Sequence, residues 1–450
     1  MTLNLLEKYN VPTPRYTSYP TVPYWDKAAP STEAWVQKVK SNYALNSEIS
    51  LYIHLPYCEE LCTYCGCNKR ITKNHQVESP YIDTLLKEWS MYLELLPEKP
   101  IIRELHLGGG TPTFFSPKSL DKLMRGIQKT SIIPANASFS FEAHPSSTSL
   151  EHLASLKIHG FKRISIGVQD FDQKILQTIN RKQTLTQVEN VTKWARELGY
   201  ESINYDLIFG LPHQTKEHIK TNFSYLYYLR PERIAFYSYA HVPWVSPSQR
   251  AYSESDLPKG AQKRALYECG RTLLEAQGYQ EIGMDHFALP DEALALAQKN
   301  GTLHRNFMGY TPFNTRLSIG LGASSISDSW DAYVQNEKKV ETYSQRIHRG
   351  EFPIIRGHLL HDEDQSVRTH ILNLMCHNKT TWANDDALAN IIQKSMFRLK
   401  ALEQDGLIAL KDNELIVLPE GQPFVRNICM AIDSRYWKAV PQGQVFSQSV

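Results

Sequence analysis

Four of the seven cysteines, Cys58, Cys62, Cys65 and Cys67, fall in the run CEELCTYCGC. A CxxxCxxCxC spacing brings several thiolates to one point, which suits a soft metal or an iron–sulfur cluster. Zinc is the alternative, but zinc ligands usually come as two separated halves, and no second half follows here. Cys269, Cys376 and Cys429 sit among apolar neighbours. An odd total with no leader argues against a disulfide framework, so these three read as buried small residues.

A thiolate loop needs a scaffold to aim it. Short β-branched or aromatic runs predict strands at Ser50 to His54, Ile102 to Leu107, Ser138 to Glu142, Arg163 to Val168, Ile203 to Phe209 and Ile234 to Tyr239. Helical patterns fall between them, at Tyr81 to Leu96, Ser119 to Lys129, Leu150 to His159, Thr186 to Leu198 and Thr215 to Leu229. Such alternation implies right-handed parallel βαβ units, and this many in succession favour a barrel or open barrel. Polar and small residues collect where the strands end: the cysteine run, Gly108-Gly109-Gly110-Thr111-Pro112, Glu142, Gln169 with Asp170, Asp206 with Gly210, and Ala240 with His241. Barrels of this kind bind ligands at that face.

Composition removes several other classes. With 42% hydrophobic and 21% charged residues, 450 residues form a soluble globular chain of one large domain and one or two smaller ones. No apolar run reaches the ~20 residues that span a bilayer, and the N-terminus lacks a basic and apolar leader, so a cytoplasmic location is expected. A net charge of +2 without a basic block argues against a nucleic-acid partner.

The cysteine spacing after the first strand and the GGGTP after the second resemble the radical S-adenosylmethionine superfamily. Within it, SLYIHLPYCEELCTYCGCNK, LHLGGGTPT, SIGVQDF, DLIFGLPHQT, GMDHFALPDEALALAQ and LHRNFMGYT are similar to the oxygen-independent coproporphyrinogen III oxidase family. The likeness runs from RYTSYPT (Arg15 to Thr21) to RNICM (Arg426 to Met430).

The resemblance implies a fold: a partial (βα)6 TIM-like radical S-adenosylmethionine barrel at 46–350, behind a lid-like segment at 1–45. A small helical, winged-helix-like domain follows at 351–450. In that last part, DDALANIIQKSMFRLKALEQDGLI reads as helix, and LIAL and LIVL as a hairpin turning at Lys411 to Glu414. No basic recognition helix is evident there, and capping the active site is the expected role.

The resemblance also implies a [4Fe-4S] cluster on Cys58, Cys62 and Cys65, with the fourth iron open to the amino and carboxylate groups of S-adenosylmethionine. Reductive cleavage would then release a 5'-deoxyadenosyl radical. Cys67 would stand near the active site without ligating; a four-thiolate electron carrier is the structural alternative. Gly109 and Gly110 would meet the methionine end of S-adenosylmethionine. Glu142, Gln169, Arg181 and Asp206 match positions that contact it, and Tyr52, Tyr64, Thr111, Ala240 and Ile326 also fall on family binding positions. The family pattern includes a second S-adenosylmethionine beside the first, so these residues would divide between two molecules.

The implied substrate is coproporphyrinogen III, whose propionates Arg15, Lys69, Arg70, His304 and Arg305 are candidates to hold. The implied reaction turns two propionates into vinyl groups, giving protoporphyrinogen IX. It needs a reducing electron donor and a terminal electron acceptor, and nothing demands more than a monomer. A non-enzymatic haem-binding delivery protein on the same frame is the competing reading; Cys67 and LHRNF favour the enzyme. His144 in FEAHP and the stretch PFNTRLSIGLGASSIS after Thr311 depart from the family pattern, and the second bears on substrate specificity.

Overall fold

The computed structural model describes residues 3–449 apart from 245, 384 and 444. The chain divides into two compact units, one of Asp26–Leu257 and Thr315–Leu359, the other of Met1–Trp25, Pro258–Asn314 and Leu360–Val450.

The first unit carries the six expected parallel strands: β1 (Glu48–Leu55), β2 (Ile101–Gly109), β3 (Ser138–Ala143), β4 (Phe161–Gln169), β5 (Ser202–Phe209) and β6 (Arg233–Ser238), each paired with the next. Leu51, Ile53, Leu105, Leu107, Phe139, Phe141, Ile164 and Ile166 are buried on one face of the sheet, alternating with polar residues such as Ser50, His106, Ser140 and Ser165 on the other. The helices Pro117–Lys129, Leu150–Ile158, Leu185–Glu197 and Lys216–Leu229 lie between successive strands. Each opens on a serine or threonine, Ser116, Ser149, Thr184 or Thr215, whose side chain accepts from the backbone N–H three residues on. Such caps contribute about 1 kcal/mol each, and they fix where each chain leaves its loop.

Four further strands, absent from the sequence reading, extend the sheet beyond β1: β7 (Leu317–Leu321), β8 (Ile326–Asp328), β9 (Ala332–Asn336) and β10 (Ile354–Leu359). β7 pairs in parallel with β1, and β8 to β10 follow antiparallel. The order β10-β9-β8-β7-β1-β2-β3-β4-β5-β6 does not close on itself, so the barrel is open. The stretch after Thr311 is apolar because Leu317, Ile319 and Leu321 are buried in a central strand. The segment expected to be a loop-like cover also holds a helix at Thr32–Leu45, capped by Ser31 and burying Trp35, Val39 and Tyr43 on one face.

Glu88, on the helix Glu78–Leu93 between β1 and β2, is fully buried and ties this flank together. Its carboxylate accepts from Tyr343 Oη at 2.5 Å, Asn336 Nδ2 at 2.7 Å and Gly322 N at 2.8 Å. Burial nevertheless pushes its pKa from 4.5 up to about 7. The folded state therefore holds this proton more tightly than the unfolded chain. Stability is highest below the unfolded pKa and falls by about 3 kcal/mol as pH rises through the folded one. Glu88→Gln removes that titration. Unfolding by denaturant at pH 4.5 and pH 8 is expected to show wild type losing about 3 kcal/mol more than the variant; equal losses contradict the assignment.

The second unit packs the helices Asp362–His377, Asp386–Gln404 and Val425–Ala431 with a hairpin of Ile408–Lys411 and Glu414–Val417. Lys379–Thr381 adds a third strand. Ile371, Leu374, Leu388, Leu399, Phe424 and Ile428 form its core with Tyr16 and Tyr19 from the N-terminal segment. The expected boundary near residue 350 differs from this division. Residues 258–314 fall with the C-terminal helices because Ile282, Leu294, Leu303 and Tyr310 share a buried cluster with Cys376. Cys429 is likewise buried, and Cys269 is half-buried.

Candidate active site

Pro56 follows the last residue of β1 and turns the chain out into the cysteine run. The run is closed at its base, where Arg70 N donates to Pro56 O at 2.8 Å and Thr72 N to Cys58 O at 2.9 Å. Lys69 Nζ reaches back to Cys65 O at 3.0 Å. His54 anchors the far side. Asn68 O can only accept, so His54 Nε2 donates to it at 2.8 Å, and Nδ1 accepts from Tyr52 Oη at 3.1 Å. Burial lowers the imidazole pKa and favours that neutral form.

Beside this loop lies the end of β2. Gly109 has φ +119°, a backbone that side chains disfavour, and donates its N–H to Glu142 Oε2 at 3.2 Å. Gly110 N donates to Leu55 O at 2.8 Å and Thr111 N to Tyr57 O at 3.0 Å, which fixes the glycine turn against the cysteine run.

These loops surround a cavity of about 820 Å³, lined by Cys58, Cys62, Cys65 and Cys67 together with Tyr64, Gly109, Gly110, Thr111, Glu142, Gln169, Arg181 and Asp206. These twelve residues, all singled out from sequence, thus share one space. Tyr52, Ala240 and Ile326 are not in the lining. Tyr52 lies behind it, stacked on His106 with ring centres 6.1 Å apart. Ala240 O accepts from Gln249 Nε2 at 3.1 Å, and Ile326 pairs with Gln335 in the sheet. Of the candidate propionate holders, Lys69 lines the cavity, whereas Arg70 is exposed and paired with Glu341 at 3.0 Å. His144, the departure in FEAHP, also lines the cavity, and burial and the Arg181 charge hold it well below the usual histidine range.

The electrostatics separate the side chains. Cys58 Sγ lies 3.2 Å from Thr111 Oγ1, and burial pushes its thiol up to about 11. Cys65 is lowered to about 6, chiefly by the hydrogen bond from Cys67, whose own thiol is raised by the same contact. Arg181 is buried: Nη2 donates to Gly167 O, Nε to Gln183 Oε1 at 2.8 Å, and Nη1 faces Cys62 Sγ at 3.8 Å. Asp206 accepts from Asn204 Nδ2 at 2.8 Å and Ser165 Oγ at 3.0 Å. Burial and the nearby Glu142 charge raise its pKa to about 6.

The donor chemistry fits a four-iron cluster and S-adenosylmethionine. Cys58, Cys62 and Cys65 would be the cluster's soft sulfur ligands. The four thiols stand around the cavity. Glu142 and Asp206 offer acceptors for amino and hydroxyl groups, and Arg181 is a cation beside the sulfurs.

Sequence reasoning missed the parts that hold the cysteine loop from outside. Asn180, with φ +51°, donates Nδ2 to Leu61 O at 2.7 Å, and Ile179 O accepts from Thr63 N at 3.0 Å. The one trace in the sequence is the residue type, since Asn tolerates left-handed backbone; nothing local points to the carbonyl it holds. Asn180→Ala loses the hydrogen bond and strains the backbone, about 2 kcal/mol together; Asn180→Gly loses only the bond. Iron release to a chelator is expected to accelerate roughly tenfold in the alanine variant and less in the glycine variant. Unchanged release in both contradicts the anchoring role.

An open parallel α/β barrel with a cysteine loop and glycine turn at its strand ends defines a radical S-adenosylmethionine protein, and residues 52–226 match the model of the Radical SAM superfamily. The likeness to named relatives is full-length. The oxygen-independent coproporphyrinogen III oxidase of Escherichia coli strain K12 is 36% identical, over 100% of this chain and 98% of its own. That of Synechocystis is 35% identical, over 99% and 97%. The solved coproporphyrinogen III oxidase of Escherichia coli, a radical SAM enzyme, superposes with a TM-score of 0.90 at 34% identity, over 96% of this chain and 98% of that one. The chain belongs to the oxygen-independent coproporphyrinogen III oxidase family. It is therefore an oxidoreductase, and membership implies a [4Fe-4S] cluster and S-adenosylmethionine. Among the described residues no helix is long and apolar enough to cross a membrane.

Proposed function

We propose that this chain oxidatively decarboxylates two propionates of coproporphyrinogen III to vinyl groups, giving protoporphyrinogen IX. The observation that carries the reading is the gathering of Cys58, Cys62, Cys65, Glu142, Gln169, Arg181 and Asp206 around one cavity, in a chain alike over its whole length to oxidases named for this substrate. Cys58, Cys62 and Cys65 hold the cluster, and Cys67 stays free. Gly109 and Gly110 let the ligand approach backbone, while Glu142, Gln169, Arg181 and Asp206 hold its polar groups, with Tyr64 and Thr111 beside them. Tyr52 buttresses Gly108 from behind, where added side-chain volume would meet its ring at 2.9 Å.

Cluster and S-adenosylmethionine, when bound, supply a 5'-deoxyadenosyl radical that removes a β-hydrogen from a propionate. Loss of carbon dioxide, with one electron passed to a terminal electron acceptor, would leave the vinyl group, and a second propionate would react in the same way. The chain's own residues orient the cofactor, exclude water and confine the radical. At about 820 Å³ the cavity lies toward the large end of small-molecule sites, so it has room for more than one S-adenosylmethionine or for a cofactor with a substrate arm.

An anaerobic assay of reconstituted, reduced protein with S-adenosylmethionine and coproporphyrinogen III tests the reading. Protoporphyrinogen and 5'-deoxyadenosine are expected together. Formation of 5'-deoxyadenosine alone overturns the substrate; neither product, with stoichiometric haem binding, points to a delivery protein.

A further inference from the structure

Four segments far apart in the sequence, RYTSYPT, GMDHFALP, LHRNFMGYT and RNICM, meet within the second unit, and the active-site chemistry uses none of them. Arg15 Nη2 pairs with Asp285 Oδ2 at 3.1 Å. Arg305 Nη1 donates to Arg15 O at 3.3 Å and touches Met284 Sδ at 3.4 Å, and its guanidinium stands 5.2 Å over the Tyr310 ring. Arg426 is spent on backbone: Nε donates to Pro14 O at 3.0 Å, Nη1 to Gln448 O at 3.0 Å, and Nη2 to Thr13 O. Lys263, on the helix Gly260–Ala276, faces the same group. Burial lowers its pKa to about 8, with Asp285 opposing and Arg15 and Arg426 reinforcing that shift.

The cluster is rich in cations. Among the described residues, Asp285 is the carboxylate paired with Arg15 and felt by Lys263 and Arg426, while Glu281 nearby is engaged by Tyr267 Oη at 2.9 Å. Arg305 is only 8% exposed, and its Nε is buried without a hydrogen-bond partner. A buried cation with an unmet donor is costly unless an anion completes it. The turn that presents Asp285 reinforces the point: Met284 and Asp285 take φ +21° and +68°, backbone that non-glycine residues resist.

We propose that Arg15, Lys263 and Arg305 form a carboxylate-binding site, and that its ligand is a propionate of the tetrapyrrole. The identity of that ligand rests on the function proposed above; the site itself does not. A planar carboxylate can take paired N–H donors from a guanidinium held as Arg305 is, with Lys263 as a point charge beside it.

Binding of coproporphyrin III and of its tetramethyl ester to the full chain, followed by fluorescence, tests the proposal in wild type, Arg305→Gln, Arg305→Lys and Lys263→Gln. The free acid is expected to bind wild type at least ~10-fold more tightly than it binds Arg305→Gln or Lys263→Gln. Arg305→Lys should recover part of that loss, and the ester should bind all four alike. KM for coproporphyrinogen III should rise in the same order, with cluster absorbance unchanged. Equal binding of acid and ester by wild type, or wild-type affinity for the acid in folded Arg305→Gln and Lys263→Gln, overturns the site. If wild type fails to convert coproporphyrinogen III yet the acid still binds through Arg305, the site stands and the functional reading falls. Displacement of the acid by millimolar glutarate, with no turnover of coproporphyrinogen III, assigns the site to small free carboxylates and overturns the propionate.

Discussion

Alanine at Cys58, Cys62 or Cys65, one at a time, is expected to cut 5'-deoxyadenosine formation at least ~100-fold and to strip iron from reconstituted protein, whereas Cys67→Ala retains its iron. The three residues are unlike in surroundings and alike in consequence. Cys58 leans on Thr111, Cys62 faces Arg181, and Cys65 takes a hydrogen bond from Cys67. Neighbours of metal ligands alone are worth 10- to 100-fold in affinity or activity, so loss of a ligand costs at least the upper figure. Cys67 differs because a cluster that keeps one iron open for S-adenosylmethionine needs only three thiolates. Iron content and 5'-deoxyadenosine are both measured. A Cys67→Ala protein without iron would restore the four-thiolate carrier as the better description.

Gly110→Ala is expected to be nearly as damaging, though it removes no functional group. A Cβ at Gly110 would lie 2.5 Å from Pro56 O and 2.9 Å from Tyr57 O. Those are backbone atoms at the root of the cysteine run, so relief requires moving the run or the glycine turn. The hydrogen bonds from Gly110 N to Leu55 O and from Thr111 N to Tyr57 O break with either movement. Displacement of a reacting group by about 1 Å costs on the order of 100-fold in rate. Turnover is therefore expected to fall about that far, with the fold retained by circular dichroism. Activity within twofold of wild type contradicts the close approach.

These two predictions rest on features of unequal visibility in the sequence. The thiolate run and the six strands of the parallel sheet were legible because local pattern dictates both: spacing for the first, apolar runs alternating with helical periods for the second. Glu142 and Gln169 could be placed from their positions at strand ends, whereas Arg181 and Asp206, the latter inside β5, were matched as cofactor contacts through the family resemblance. β7 was hidden because LSIGL follows Pro312 and an irregular loop, and β8 to β10 are short antiparallel strands with no helix to punctuate them. The helix Thr32–Leu45 was legible in principle, since Trp35, Val39 and Tyr43 recur every fourth residue behind a serine cap; the prolines just before it masked the period.

The supports of the cysteine loop could not be read in the same way. His54 looks like one more strand residue, and Asn180 lies well over a hundred residues from the carbonyl it holds. Residues 258–314 alternate strand and helix like the barrel, yet they share a core with the C-terminal helices. Long-range packing decides that membership, and no local window reports it.

The central claim joins a radical generator to one substrate, and isotope transfer tests both at once. Coproporphyrinogen III deuterated at the propionate β-carbons would be turned over anaerobically by the reduced protein with S-adenosylmethionine, and the recovered 5'-deoxyadenosine weighed by mass spectrometry. The account predicts one deuterium gained per molecule, matched by vinyl product. Unlabelled 5'-deoxyadenosine, formed at the same rate with or without the tetrapyrrole, would contradict it.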